Sequence, residues 1–469
     1  MIKLKNSNEV VSMSETQGKN NKIDIFENKP VPTALAIMAI PTIISQLIIL
    51  AYNMADMYFI GQTNNPYMVA ASSLAATVFL MMTALANLFG VGGSNLVVRL
   101  LGVKDQEEAR KVASISLVMA LCCAAVFSAS CFIFMDPLLD LLGASENTIG
   151  YARQYLFFVV VIGGIPTVLS STMSAMLRNI GYSKEGAFGL SMGGILNIVL
   201  DPLLMFVILP KGYEVMGAAI ATLLSNTSAF LYYIFTYQRV KKDTILALPK
   251  SIEKIRSTSW KSIFAVGVPA ALSLLLYDLT TIVINMLSSA HGDLELAAIG
   301  IVLKVERLPL NIGVGICLGM MPLIAYNYTA KNEKRMKAFF TTARAVGLTI
   351  AFVCVGLYYT FAPYIIQAFI KDPETLQLGT QFMKARCFAT PVMFLSFQMV
   401  HYMQAIGKGR VSFYLAVIRQ LCLNIPILFI LNILFGMSGI IWTQAIADFI
   451  NAVISYVIYY RVNKELSFN

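Results

Sequence analysis

The stretch PTIISQLIILAYNMADMYFIG, residues 41–61, contains a single charged residue, Asp56. A helix of this length spans about 30 Å, which is the thickness of the hydrocarbon core of a bilayer. The rest of the chain has the same character, because 57% of its 469 residues are hydrophobic and only 13% are charged. This composition excludes a soluble globular protein and predicts an all-α integral membrane protein.

The apolar segments lack the alternation of apolar and polar residues that membrane β-strands need, so they predict helices. Their spacing predicts twelve spans, at residues 35–61, 66–98, 112–135, 151–177, 186–209, 215–238, 262–290, 295–325, 343–368, 378–405, 411–434 and 438–461. The longest charged connection separates six spans from six. The expected divisions are a tail at 1–32, an N-lobe at 33–238, a linker at 239–261, a C-lobe at 262–461 and a tail at 462–469.

The net charge of +10 does not indicate nucleic-acid binding, because the basic residues follow the membrane topology. Alternate connections and the two tails hold 26 of the 35 Lys and Arg residues, whereas the opposite connections hold only Lys211 and Lys371. Basic connections stay in the cytoplasm, so both termini are expected on the cytoplasmic side of the inner (plasma) membrane. The first 30 residues lack the apolar core of a signal peptide and predict a polar tail.

The two halves resemble each other. Sliding one over the other by about 225 residues aligns Pro41 with Pro269 and Asn197 with Asn424. Because each half has six spans and begins in the cytoplasm, the lobes are expected to be related by a pseudo-twofold axis along the membrane normal, with a cleft between them. The charges break this symmetry, since Asp56 aligns with Ile284 and Asp201 aligns with Leu428.

The unmatched acids of the N-lobe have polar neighbours at the same depth. Asp56 lies about 7 to 8 Å below the outer end of its span and Asp201 about 12 Å below the end of its own. Tyr52 precedes Asp56 by one turn and Asn197 precedes Asp201 by one turn, on the same helix faces. Thr222 lies at a similar depth in the next span. These five side chains are expected to converge.

Such a group suits a small cation. Burial disfavours an ionised carboxylate and a second carboxylate disfavours it further, so a proton can bind near neutral pH. Sodium, a hard cation, would use the same oxygens of Asp56, Asn197, Asp201 and Thr222. Asp56 alone is also compatible with a hydrated carboxylate near a helix end. Pro202 leaves a backbone carbonyl without its helical donor and predicts a hinge after Asp201.

Four segments carry a family resemblance: the stretch 41–61 quoted above, GGILNIVLDPLLMF at 193–206, GAAIATLLS at 217–225 and GMMPLIAYNYTAKNEKRM at 319–336. Together they resemble the multidrug and toxic compound extrusion (MATE) family, in the bacterial branch that contains DinF-like and MepA-like pumps. The resemblance implies export of amphipathic cationic drugs in antiport with protons or sodium ions, through rocking of two lobes. It also implies that Tyr52, Asp56, Asn197, Asp201 and Thr222 form the coupling site.

The charges of the C-lobe are candidates for a substrate path. They are Asp278, Lys304, Glu306, Arg307 and Asp448. Asp278 lies about one residue away from the acid that the family carries in this span. Lys304 and Arg307 are able to share a cleft-facing side of their helix, so anionic or zwitterionic substrates remain an alternative to cations. Alternatively, the whole cluster forms salt bridges and has a structural role. Arg419, near a cytoplasmic helix end, is expected to snorkel towards the surface.

Two other classes of function compete with drug export. A flippase or exporter of lipid-linked or anionic substrates is the nearest alternative, favoured by Lys304 and Arg307 and opposed by the N-lobe acids. A membrane enzyme is disfavoured, since the chain has no HExxH, GxSxG or phosphate-loop motif. We therefore expect a monomeric membrane protein in lipid that handles small molecules and uses no ATP, cofactor or nucleic acid.

Overall fold

The computed structural model describes residues 22–241, 244–246 and 256–465, and within them the chain forms helices joined by short connections. The N-terminal half contains α1 Val31–Gly61, α2 Pro66–Gly102, α3 Gln106–Ile133, α4 Met135–Leu141, α5 Ile149–Leu156, α6 Gly164–Asn179, α7 Ser183–Pro202 and α8 Glu214–Val240. The C-terminal half contains α9 Ser257–Ser289, α10 Asp293–Thr329, α11 Glu333–Gln367, α12 Pro373–Arg386, α13 Ala389–Ala405, α14 Gly409–Val417, α15 Ile425–Phe435 and α16 Met437–Glu465.

Parts of three predicted segments lie outside the described residues. These are residues 1–21 of the N-terminal tail, 242–243 and 247–255 of the linker, and 466–469 of the C-terminal tail. The side chain of Asp278 also lies outside the description, although its backbone belongs to α9.

Ten segments of the described chain are long and apolar enough to cross a membrane, and each matches a predicted span. The fourth span is bent by 50° between Ile162 and Gly164. A π-helical turn, Phe157–Ile162, immediately precedes the bend and explains it, because a π turn interrupts the regular hydrogen bonding of a helix. The tenth predicted span is also divided, into α12 and α13, which completes the correspondence with the twelve predicted spans.

The two halves pack tightly at the end of the molecule where residues 22–30 lie, which we call the inner end. Glycines permit this approach: a Cβ atom on Gly319 would lie 2.7 Å from the backbone nitrogen of Ala39, and one on Gly315 would lie 2.7 Å from the Cα of Ile43. The contact between α1 and α10 is therefore backbone against backbone. The approach of α2 to α9 is equally close, at Gly92.

The halves separate towards the opposite, outer end. Along the face of α1 that packs on α10, the exposed fraction rises from 5% at Ala39 and 9% at Leu50 to 37% at Met54 and 59% at Met57. These residues recur at one-turn intervals, so they lie on one side of the helix. The lobes thus enclose a cleft that is closed at the inner end and open at the outer end.

Gly319→Ala tests whether this inner contact holds the closed arrangement. The added methyl group overlaps the backbone of α1, so we expect a new population in which the inner ends lie farther apart. Spin labels at positions 184 and 334, in a cysteine-free background, would report it by pulsed electron resonance distances. Gly300→Ala on the same helix is the control, because nothing lies within 4 Å of its added Cβ. An unchanged distance distribution for Gly319→Ala would contradict the assignment.

The N-terminal segment, residues 22–29, contacts both halves at the inner end. Arg335 of α11 donates hydrogen bonds to the carbonyl oxygens of Phe26, at 2.7 Å, and Lys29, at 2.6 Å. Lys22 lies 3.8 Å from Glu185 of α7. The segment therefore spans the closed end of the cleft.

Candidate cation-binding site

The predicted N-lobe site forms where α1 packs along α7. The ring of Tyr52 lies over Gly194, whose missing side chain leaves room for it, since a Cβ there would lie 3.1 Å from the ring. One turn further along α1, the side chain of Asp56 is partly exposed but its Oδ1 atom is buried, and Asp56 lies near Asp201 of α7. The structure therefore places Tyr52 and the two acids in one group.

Asn197 connects the elements of this group. Its side-chain nitrogen donates to Oδ1 of Asp201 at 3.1 Å and to Oγ1 of Thr222, on α8, at 3.4 Å. Asp201 is fully buried, and Asn197 and Thr222 are nearly so. The i, i+4 spacing of Asn197 and Asp201 brings their side chains together on one turn of α7, as predicted.

Three oxygen atoms of the group lack a hydrogen-bond donor. Oδ1 of Asp56, Oδ2 of Asp201 and Oδ1 of Asn197 are buried, and no donor from the described residues reaches them. A buried acceptor without a partner is costly, by about 1 to 3 kcal/mol and more for a charged group. Several such acceptors together fit a cation or a proton that they would bind in common.

The composition of the group limits which cation fits. It contains two carboxylates and otherwise only neutral ligands, and within the described parts of the chain no group of three His, Cys, Asp or Glu side chains is suited to hold a metal ion. A proton can bind to either carboxylate, and a monovalent, oxygen-seeking ion such as sodium can use the carboxylate, amide and hydroxyl oxygens together.

Tyr155 belongs to this group and was not predicted. It is buried at the end of α5, and its hydroxyl lies near Thr222, Tyr52 and both acids. It supplies a further hydroxyl to the site. The signal in the sequence was its position beside Gln154, which the internal repeat aligns with Gln381, and this did not indicate a direction for the side chain.

Pro202 ends the regular part of α7, as the missing amide hydrogen predicts. The next six residues, Leu203–Ile208, form a π-helical turn, in which the hydrogen bonds skip one more residue than in an α-helix. The irregular backbone thus begins one residue after Asp201. Its use as a hinge stays a prediction.

Two acids among the candidate residues of the C-lobe form buried ion pairs. Glu306 is buried in an ion pair with Arg386 of α12, at 2.9 Å. Asp448 is buried against Arg419, with Nη2 of the guanidinium 3.0 Å from Oδ2 of the carboxylate. These two acids therefore bind the protein's own arginines, the structural alternative that the sequence left open. Lys304 and Arg307 lie on an exposed side of α10.

The prediction for Arg419 was wrong. Its side chain does not extend to the membrane surface, because it is buried, paired with Asp448 and packed with its guanidinium carbon 4.5 Å from the centre of the Phe397 ring. Gln444 also donates to Asp448, at 2.5 Å. A buried partner offsets the cost of burying the charge, which removes the physical reason to snorkel.

Two helical lobes that enclose a cleft, with a buried acidic group in one lobe, define a multi-pass membrane transporter. The MatE family model matches residues 41–203 and residues 269–430, which together make up more than half of the chain. The chain belongs to the multidrug and toxic compound extrusion family. Each lobe contains one match, and the matches begin at Pro41 and Pro269, the two prolines that the internal repeat aligns.

Individual relatives agree with this assignment. The multidrug export protein MepA of Staphylococcus haemolyticus (strain JCSC1435) is 31% identical over 452 residues, covering 96% of this chain and 98% of that protein. MepA of Staphylococcus aureus (strain NCTC 8325 / PS 47) is 29% identical over 451 residues, with the same coverage of both chains. A solved MATE family transporter of the MOP superfamily, in an outward-facing conformation, has a TM-score of 0.88 at 23% identity and covers 96% of this chain and 99% of its own.

These comparisons confirm the predicted family and fold class, with twelve helices in two lobes. They also make the protein a multi-pass protein of a bacterial membrane.

Proposed function

We propose that this protein is a secondary active multidrug exporter that expels amphipathic organic cations in exchange for protons or sodium ions. The observation that carries the proposal is the group of buried, unpartnered oxygen atoms on Asp56, Asn197 and Asp201. Its relatives are named multidrug export proteins, which supports the substrate class. Membership of a transporter family, together with the absence of catalytic motifs, supports a protein that carries its substrates unchanged.

The same group of side chains can couple the inward movement of the ion to the outward movement of the drug. Binding of a cation neutralises charge between α1 and α7 and satisfies acceptors that are otherwise unpaired. The free energy of the lobe then depends on whether the ion is bound, and the π-helical turn after Pro202 is where the backbone can change its geometry. Exchange follows when the ion and the drug favour opposite openings of the cleft.

The direction of transport follows from the distribution of basic residues, which supports cytoplasmic termini and an outer end that faces the outside. Ions then enter the N-lobe site from outside and move inward. A potential of 100 mV contributes about 2.3 kcal/mol for each net positive charge that moves inward, so the potential itself helps export only when more ion charge enters than drug charge leaves. No step requires ATP, a cofactor or a second subunit.

Varying the two ions separately in reconstituted vesicles tests the proposal. Ethidium transport would be followed by fluorescence while either a pH gradient or a sodium gradient is imposed in the exchanging direction. We expect one of the two gradients to increase the rate of ethidium transport. With the other gradient, the rate should stay close to that measured with no gradient. Nigericin or monensin, which collapse the respective gradients, serve as controls. Transport that responds to neither gradient would contradict ion exchange.

A further inference from the structure

Lys304 occupies a position where a membrane protein rarely leaves a charge. It lies eleven residues after the start of α10 at Asp293, or about 16 Å below the outer end of the helix. This is too deep for a lysine side chain to reach the outer surface. The side chain is exposed, and no described carboxylate lies within ion-pair distance of it. Exposure of an ammonium group to acyl chains is very unfavourable, so this one must face water.

The helical register shows where that water lies. Gly319 and Gly315 mark the face of α10 that packs on α1 at the inner end. Steps of three or four residues along the same face lead to Leu308 and then to Lys304, both of which are exposed. Lys304 therefore points across the cleft towards the N-lobe, at the level where the lobes have separated.

The opposite wall of the cleft is apolar and flexible. Near the inner end, one face of α1 packs on α10; nearer the outer end, Met54 and Met57 are exposed on this same face. In the same way, Met81 is exposed on the face of α2 that packs on α9 nearer the inner end. Methionine side chains adapt to flat aromatic groups through their polarisable sulfur atoms. Asp56 lies on a different side of α1, so the cleft surface is separate from the cation site.

We propose that Lys304 is a carboxylate-binding residue of the substrate cleft, and that among amphipathic organic cations the protein prefers aromatic ones that also carry a carboxylate. The aromatic body lies against Met54, Met57 and Met81, and the carboxylate accepts a hydrogen bond from the ammonium group of Lys304. The positive group of the substrate then points away from Lys304, since like charges repel. This inference rests on the proposed export function and names the substrate class that the cleft selects.

A pair of dyes that differ by one group tests this selection. Rhodamine 110 carries a free carboxylate, and rhodamine 123 is its methyl ester with the same ring system and a net positive charge. Binding of each dye to the purified protein in nanodiscs would be measured by fluorescence polarisation. We expect wild-type protein to prefer rhodamine 110, and Lys304→Gln to lower its affinity about tenfold, because a neutral amide binds a carboxylate more weakly than an ammonium group does. Affinity for rhodamine 123 should stay the same or rise.

Two further variants complete the design. Lys304→Arg keeps the positive charge and should restore the preference for the carboxylate. Lys371→Gln removes an exposed lysine from an outer connection of the same lobe and should change neither affinity. Equal losses for both dyes in Lys304→Gln, an unchanged ratio of the two affinities, or failure of wild-type protein to bind rhodamine 110 would each overturn the proposal.

Failure of the export function would look different. Asp201→Asn should leave the ratio of the two affinities at its wild-type value, because it lies outside the cleft, while stopping ion-driven export of both dyes. Retained export of both dyes by Asp201→Asn would count against the coupling site and leave the role of Lys304 to be decided by the binding ratio alone.

Discussion

Asp201→Asn is expected to reduce gradient-driven export of ethidium to the background rate, a loss of at least about tenfold, while the protein stays folded. Asparagine has the same shape and can still accept the hydrogen bond from Asn197, but it cannot bind a proton or offer a charged oxygen to sodium. Removing a buried charge should leave the melting temperature unchanged or raise it. Export from reconstituted vesicles and thermal unfolding in detergent would be measured on the same preparation.

Matched substitutions separate this effect from a general loss of acidic charge. Asp140→Asn removes an exposed carboxylate from an outer connection of the same lobe and should export normally. Asp56→Asn should behave like Asp201→Asn, because one of its oxygens belongs to the same unpartnered group. Wild-type export by both Asp56→Asn and Asp201→Asn would rule out this group as the coupling site.

Arg419→Met is expected to destabilise the C-lobe by about 3 to 5 kcal/mol, the usual result of leaving one charge of a buried pair without its partner. Asp448 is fully buried, and among the described residues Gln444 would be its one remaining donor. Methionine fills most of the space of the arginine side chain and still packs on Phe397, so the loss reports the charge rather than a cavity. Unfolding titrations in mixed detergent micelles would measure the difference in free energy.

An exposed ion pair provides the comparison. Arg153 pairs with Asp136 at the surface of the N-lobe, where both side chains remain more than half exposed. Arg153→Met should cost about 1 kcal/mol or less, since water competes for both groups. Replacing both buried partners, as Arg419→Met with Asp448→Leu, should recover much of the stability because no unpaired charge remains. Equal losses for Arg419→Met and Arg153→Met would contradict the buried pair.

The N-lobe site was predictable because its members follow local rules. Asn197 and Asp201 are four residues apart on one helix, and this spacing alone fixes their hydrogen bond. Depth counted from the helix ends placed Thr222 at the same level. Tyr155 was not predictable, because its direction depends on packing among α5, α1 and α8, and the π-helical turn that follows interrupts the regular helical periodicity.

The C-lobe charges show the limit of counting along one helix. Distance from a helix end suggested that Arg419 reaches the surface, but its partner Asp448 lies 29 residues later in the chain. Glu306 likewise pairs with an arginine 80 residues away. Which side of each helix meets its neighbour decides such pairs, and composition carries no information about it.

The sequence by itself determined that this chain spans the membrane, that its helices form two related lobes, and that the N-lobe has two acids without counterparts in the C-lobe. These features can be read directly from the order of residues, because they depend on the length of apolar segments, the positions of charges and the internal repeat. Only the tertiary structure decided which oxygens remain unpartnered, which charges neutralise each other, and at which end the lobes meet. Those features arise from contacts between helices that are far apart in sequence. Such contacts depend on how closely two backbones approach at glycines and on how irregular turns change the direction of a helix.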